Sequence, residues 1–154
     1  MLTRSRLILL ATLGSLAMLL GAWGFQYLGS MAPCKLCYWQ RYPHMAALAI
    51  GVAALAVKTR LFAWAGMFAA LTTSGLGLYH TGVERKWWEG PTSCTSGGVG
   101  GLTPEELLNQ ILAALLVRCD DVAWEMLGLS MASWNAIASL GLALLWFLAA
   151  TRRA

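Results

Sequence analysis

Hydrophobic positions in this chain gather into four long runs separated by polar segments. The first extends from about Leu7 to Phe25 without a charge, and the second from about Tyr42 to Val57. The third covers about Leu61 to Tyr79 and the fourth about Trp134 to Ala150. A bilayer-spanning helix needs roughly 20 apolar residues, so the second run reaches a comfortable length only if its helix begins near Cys37. The pattern predicts an all-α integral membrane four-helix bundle with spans at about 7–25, 38–57, 61–80 and 134–150. Two loops, at about 26–37 and 81–133, then emerge on one face of the membrane. No internal repeat or low-complexity linker divides the chain, so 1–154 reads as a single transmembrane domain. The first run is longer than the roughly 7–15-residue core of a signal peptide, and no small-residue cleavage site follows, so it reads as an uncleaved helix.

Composition agrees with the pattern. Of 154 residues, 58% are hydrophobic and only 12% charged, against about a quarter charged in soluble domains. The net charge of +4 is not a nucleic-acid signature, because no basic stripe is interleaved with exposed aromatics. Every acid lies between Glu84 and Glu125. The end of the predicted bundle that holds Arg4, Arg6, Lys58, Arg60, Arg152 and Arg153 has no acid at all. Cytoplasmic flanks retain positive charge, so both termini are expected in the cytoplasm. The loops carrying every cysteine then face outward, as in a multi-pass protein of the bacterial inner membrane.

The second loop contains one ordered signal. Thr103-Pro104-Glu105-Glu106 reads as an N-cap, a proline at the first helical position and a capping-box glutamate. Leu107, Leu108, Ile111, Leu112, Leu115 and Leu116 then recur on one face. Too short to span, this segment predicts an amphipathic helix lying in the membrane surface. It would hold Cys119 near the bilayer, within reach of Cys34.

The four cysteines fall into two groups, Cys34 with Cys37 and Cys94 with Cys119. Three chemistries fit four cysteines in outward loops. They are structural disulfides in an oxidising compartment, a zinc site of thiolates helped by His44 or His80, and redox-active thiols. Three features favour the last. Cys34-Lys35-Leu36-Cys37 has the spacing of redox dithiols, and Pro33 places Cys37 on the first turn of the second helix. Arg41, one turn beyond Cys37 on the same face, brings a guanidinium that favours a sulfur anion. Gly97-Gly98 and Gly100-Gly101 after Cys94 suit a loop that opens to a partner. Exchange between the two groups needs a terminal electron acceptor. Neither a dinucleotide fingerprint nor a C-x-x-C-H haem motif is present, since Tyr38 follows Cys37. A lipid-soluble acceptor reaching Cys37 from the bilayer is the simple choice that remains.

Two segments resemble the bacterial DsbB family of disulfide-bond formation proteins. One is Pro33-Cys34-Lys35-Leu36-Cys37-Tyr38-Trp39-Gln40-Arg41, and the other runs from Trp124 through Leu127-Gly128-Leu129-Ser130-Met131-Ala132 to Asn135. The resemblance implies a quinone-dependent enzyme that reoxidises a periplasmic thioredoxin-like oxidase of the DsbA type. It implies that Cys94 and Cys119 form the disulfide accepting electrons, with Cys94 engaging the partner. Cys119 would then exchange with Cys34, the more exposed member of its pair. Cys37 matches the cysteine contacting the quinone, Arg41 the arginine near the quinone ring, and Gln26 a glutamine of the same pocket. Ubiquinone is the implied acceptor, with menaquinone as the alternative, and no metal is implied. The Gly-rich stretch of the second loop has no counterpart in that pattern. A paralogous branch of the family, serving dedicated oxidases for particular substrates, is the alternative to a general partner.

Other residues read more simply. His80, just past the third run, reads as a solvated interface residue. His44, inside the second span, is an intramembrane ionisable group of the kind that faces a partner or cavity. The eight tryptophans mostly fall near span ends and read as an interfacial belt, and Met18, Met45 and Met67 read as helix packing.

Overall fold

The computed structural model describes residues 3–57, 59–91, 103–106, 108 and 117–152. Four long helices dominate: α1 (Arg4–Tyr27), α2 (Lys35–Ala56), α3 (Arg60–Glu84) and α4 (Met131–Thr151). A two-stranded hairpin, β1 (Glu125–Met126) and β2 (Leu129–Ser130), precedes α4. Helices α1, α3 and α4 are long and apolar enough to cross a bilayer. Helix α2, 22 residues long, carries Lys35, Gln40, Arg41 and His44 in its first half.

Helix starts are set by side chains that accept from otherwise orphaned backbone N–H groups. Thr3, Thr59 and Ser130 cap α1, α3 and α4. The cap of α2 is Cys34, whose sulfur accepts from the Cys37 N–H at 3.2 Å. Cysteine is not among the preferred cap residues, so the start of α2 is built around a reactive atom.

Helix α2 packs against α1 and α3, and α4 packs against the same two. Arg4 donates to the Thr59 carbonyl, which brings the start of α1 to the α2–α3 connection. Small residues admit the close approaches, as expected where dispersion rather than water expulsion holds helices together. A Cβ on Gly51 would strike Thr12, and one on Gly66 would lie 2.5–2.7 Å from the ring of Trp146. Trp146 is fully buried in the core with Leu7, Ile8 and Ala63, so this tryptophan is packing and not part of an interfacial belt. Gly66→Ala is therefore expected to lower stability by about 1–3 kcal/mol through overpacking, read as a lower melting midpoint in detergent.

The hairpin fixes the outer end of this assembly. Leu127 and Gly128, both at positive φ, make its two-residue turn. Arg85, just past α3, donates to the Gly128 carbonyl at 2.6 Å and lies 3.7 Å from Glu125. Trp134 donates to the Met126 carbonyl at 3.2 Å. Upstream, Thr103 and Glu106 form a reciprocal capping box, with Thr103 N donating to Glu106 Oε2 at 2.9 Å and Glu106 N donating back at 3.3 Å. Most of the amphipathic stretch predicted beyond it lies outside the described residues, as does Cys94.

Candidate functional site

The first turn of α2 holds two sulfurs close together. Cys34 Sγ donates to Cys37 Sγ at 2.8 Å, under an ångström beyond the roughly 2.05 Å of a disulfide bond. Both are free thiols, as is Cys119. The Cys34 thiol is pushed well above the usual thiol range, first by the hydrogen bond it gives to Cys37 and then by burial. In the reduced pair, Cys34 therefore keeps its proton.

Cys119 packs into the same cluster as Cys34, Leu36 and Val83. Next to it in the chain, the exposed Arg118 donates to Asp120 at 2.6 and 3.0 Å and lies 3.5 Å from Asp121. Those bonds hold the Asp120 carboxyl below the usual carboxylate range. Within this clamp Cys119 is buried, while Arg118 and Asp121 are exposed. Cys119 thus covers Cys34, which is 5% exposed, whereas Cys37 is half-buried. The exposure order implied by resemblance is reversed, because the segment around residue 119 lies over Cys34.

Behind the sulfurs runs a buried polar ladder joining α2, α3 and α4. Cys34 Sγ lies 3.6 Å from His80 Nε2, and His80 Nδ1 is 2.8 Å from Gln40 Nε2. Asn135 Nδ2 donates to Gln40 Oε1 at 2.8 Å, to Thr73 Oγ1 at 3.2 Å and to the Thr73 carbonyl at 3.3 Å. Asn135 Oδ1 meets His44 Nε2 at 3.1 Å, with Ser139 Oγ 3.3 Å from the same nitrogen.

Two backbone carbonyls give the ladder a direction. The Thr73 carbonyl only accepts, so the Asn135 atom facing it is the amide nitrogen, and Asn135 Oδ1 accepts from His44. The Leu36 carbonyl, 3.3 Å from Gln40 Nε2, fixes that amide in the same way. Neutral His44 therefore carries its proton on Nε2. Neutral His80 accepts at Nδ1 and carries its proton on Nε2, toward Cys34. Glu84 Oε1 lies 3.8 Å from that same Nε2, and the Cys119 backbone also hydrogen-bonds the ring. Ser130 of the hairpin donates to Glu84, so the loop leading into α4 reaches the same spot.

Arg41 sits beside this group. It donates to Gln26 Oε1 at 2.5 Å and to the Ala22 carbonyl at 3.3 Å, and its guanidinium lies 5.2 Å from the Tyr38 ring. A cavity of about 290 Å³ opens between α1, α2 and α4, with Cys34, Cys37, Arg41, His44, His80 and Asn135 in its wall. It is near the roughly 300 Å³ lower bound of small-molecule sites. Its wall is largely apolar, with a few converging polar groups, the general character of a small-molecule site. Gln26 is not in that wall; it orients Arg41 from behind.

Of the sequence-predicted residues, the structure brings together Cys34, Cys37, Cys119, Arg41 and, through Arg41, Gln26. It also adds residues that the sequence did not single out for the site: Gln40, Asn135, Thr73 and Glu84. His80 is a correction. It is 3% exposed and beside Cys34, not solvated, because α3 continues to Glu84 and the hairpin and the Cys119 segment cover it. Cys34, Cys37 and His80 also offer three donor atoms within 4.8 Å of one another.

Among known proteins, an uncharacterized protein of Rickettsia prowazekii (strain Madrid E), RP370, is similar to this chain. It is 26% identical over 127 residues, which cover 80% of this chain and 73% of that protein. No solved structure matches. The family model of disulfide bond formation protein DsbB matches residues 4–149, from the start of α1 almost to the end of α4. A membrane-suited helical frame, clustered thiols and this nearly full-length match together make the chain a member of the DsbB family, the multi-pass membrane oxidoreductases of disulfide formation.

Proposed function

We propose that this chain is a thiol oxidase that reoxidises a periplasmic thioredoxin-fold oxidase of the DsbA type and passes the electrons to a membrane quinone. The observation that carries this reading is the Cys34–Cys37 pair, sulfurs 2.8 Å apart, in the wall of a cavity shared with Arg41.

The partner's two thiols reduce the Cys94–Cys119 disulfide and become a disulfide themselves. The Cys119 thiolate attacks Cys34 of an oxidised Cys34–Cys37 pair, breaking that bond and freeing Cys37 as a thiolate. Cys94 then attacks Cys119, restoring its own disulfide and releasing Cys34. A bound ubiquinone, or menaquinone, would supply the sink for the two electrons and two protons released when the Cys34–Cys37 disulfide re-forms. The packing of Cys119 on Cys34 supports this order, and the His80 Nε2–H, 3.6 Å from Cys34 Sγ, offers a donor to the sulfur that leaves. Arg41, held by Gln26, adds positive charge beside the cavity.

We place this chemistry in one transmembrane four-helix bundle of the bacterial inner membrane, with both termini cytoplasmic and the cysteine loops periplasmic. The basic residues at the end where Arg4 meets Thr59, with every acid toward the other end, support that orientation.

The test uses purified protein in detergent with a short-chain ubiquinone and a reduced thioredoxin-like dithiol protein. Quinone absorbance is expected to fall catalytically, and Cys37→Ser to abolish the fall. No turnover with ubiquinone or menaquinone would leave a membrane scaffold with structural disulfides as the better account. The three donors of Cys34, Cys37 and His80 favour one further reading, a zinc site. Stoichiometric zinc in the purified protein, lost in His80→Ala, would support that reading over thiol oxidation.

A further inference from the structure

Resting on the quinone reading, we propose that His44 is a ligand-binding residue whose Nδ1 accepts a hydrogen bond from a hydroxyl of the reduced quinone. Three observations carry it. His44 is 3% exposed and lines the cavity, yet its Nδ1 has no hydrogen-bond partner among the described residues. An unpartnered buried acceptor is costly, and the complement we assign to it is a donor bound in the cavity that His44 lines.

The ladder decides what kind of donor. Asn135, oriented by the Thr73 carbonyl, holds the His44 proton on Nε2. Nδ1 of the neutral ring is then a bare lone pair. An oxidised quinone offers only carbonyl acceptors and leaves that lone pair unmatched. A hydroquinone offers O–H donors and satisfies it. His44 thus distinguishes the two redox forms of one ligand.

Position supports the same reading. Cys37, Arg41 and His44 fall at i, i+4 and i+7, one stripe along the cavity-facing side of α2. Arg41 and His44 are separated by about 4.5 Å of helical rise. A donor and an acceptor are therefore spaced along one wall, with Arg41 suited to a carbonyl oxygen and His44 to a hydroxyl. Pro43, between them, leaves the helix without one backbone hydrogen bond at this point.

The test compares binding of a short-chain ubiquinone and of its hydroquinone, held anaerobically, by equilibrium dialysis. The protein carries Cys34→Ser and Cys37→Ser, so that no electrons pass between protein and ligand. Two substitutions separate the ring nitrogens. Glutamine reaches to the position of Nε2 and keeps the Asn135 bond, whereas asparagine reaches to that of Nδ1. His44→Gln is expected to weaken hydroquinone binding about tenfold, the equivalent of ~1.4 kcal/mol, and quinone binding much less. His44→Asn is expected to keep most of the hydroquinone affinity. Unchanged binding of both forms by His44→Gln would overturn the proposal. So would equal weakening of both forms by both variants, which marks a packing role. If protein with His44 intact binds neither form, the quinone reading itself fails and takes this one with it.

Discussion

Cys34→Ser is expected to reduce dithiol oxidation to the uncatalysed background while leaving the melting midpoint almost unchanged. The two halves of that expectation come from the two roles of one atom. As the N-cap of α2, the sulfur accepts from the Cys37 N–H at 3.2 Å, and serine is among the best residues for that task. The helix start therefore survives. A hydroxyl cannot form or break a bond with the sulfur of Cys119 or Cys37, so the relay stops. Cys34→Ala removes both roles and is expected to lower stability by about 1 kcal/mol as well. Thermal melts of the two variants beside the oxidation assay separate capping from exchange. Residual turnover in Cys34→Ser would mean that Cys119 reaches Cys37 directly and that Cys34 is dispensable.

Asn135→Leu is expected to cost about 2 kcal/mol of stability and at least tenfold in rate. Asn135 makes four contacts to His44, Gln40 and Thr73, and polar bonds between membrane helices average about 0.6 kcal/mol each. The rate loss has a separate cause. Without Asn135, the Gln40 amide loses its partner on Oε1 and keeps only the 3.3 Å contact to the Leu36 carbonyl, so it turns over more readily. His80 is then free to exchange tautomers and withdraw its N–H from Cys34. Unfolding in a detergent series measures the first effect, and single-turnover oxidation of the partner dithiol measures the second. A variant that loses stability but keeps its rate would assign the ladder to assembly alone.

Local signals in the sequence carried much of this picture. Charges at the ends of apolar runs marked the helices, and Pro33 with the two-residue cysteine spacing marked a helix start bearing two thiols. Arg41 was legible because one helical turn separates it from Cys37. The residues that were missed share a physical cause. Gln40 and Asn135 are single polar residues whose meaning depends on partners 95 positions apart, and nothing local announces the pairing. His80 follows the last apolar residue of its run, where a side chain is ordinarily wet. What covers it is the chain around residues 119 and 130, brought back by the Arg118 clamp and the hairpin. The usable signal was that uncharged polar groups recur in spans at matching depth, which in hydrocarbon calls for mutual satisfaction.

The ladder also acts as a registration key. Apolar helix faces in lipid slide past one another at little cost, because the surrounding chains are as oily as the neighbouring helix. Moving α4 by one turn would strand Asn135 and Ser139 against hydrocarbon and leave Gln40 and His44 facing alkyl side chains. Only one vertical alignment of α2, α3 and α4 satisfies all of these groups together. The groups that prepare sulfur chemistry therefore also measure whether the helices have docked at the correct height. In this protein, an assembled frame and a competent site are a single condition.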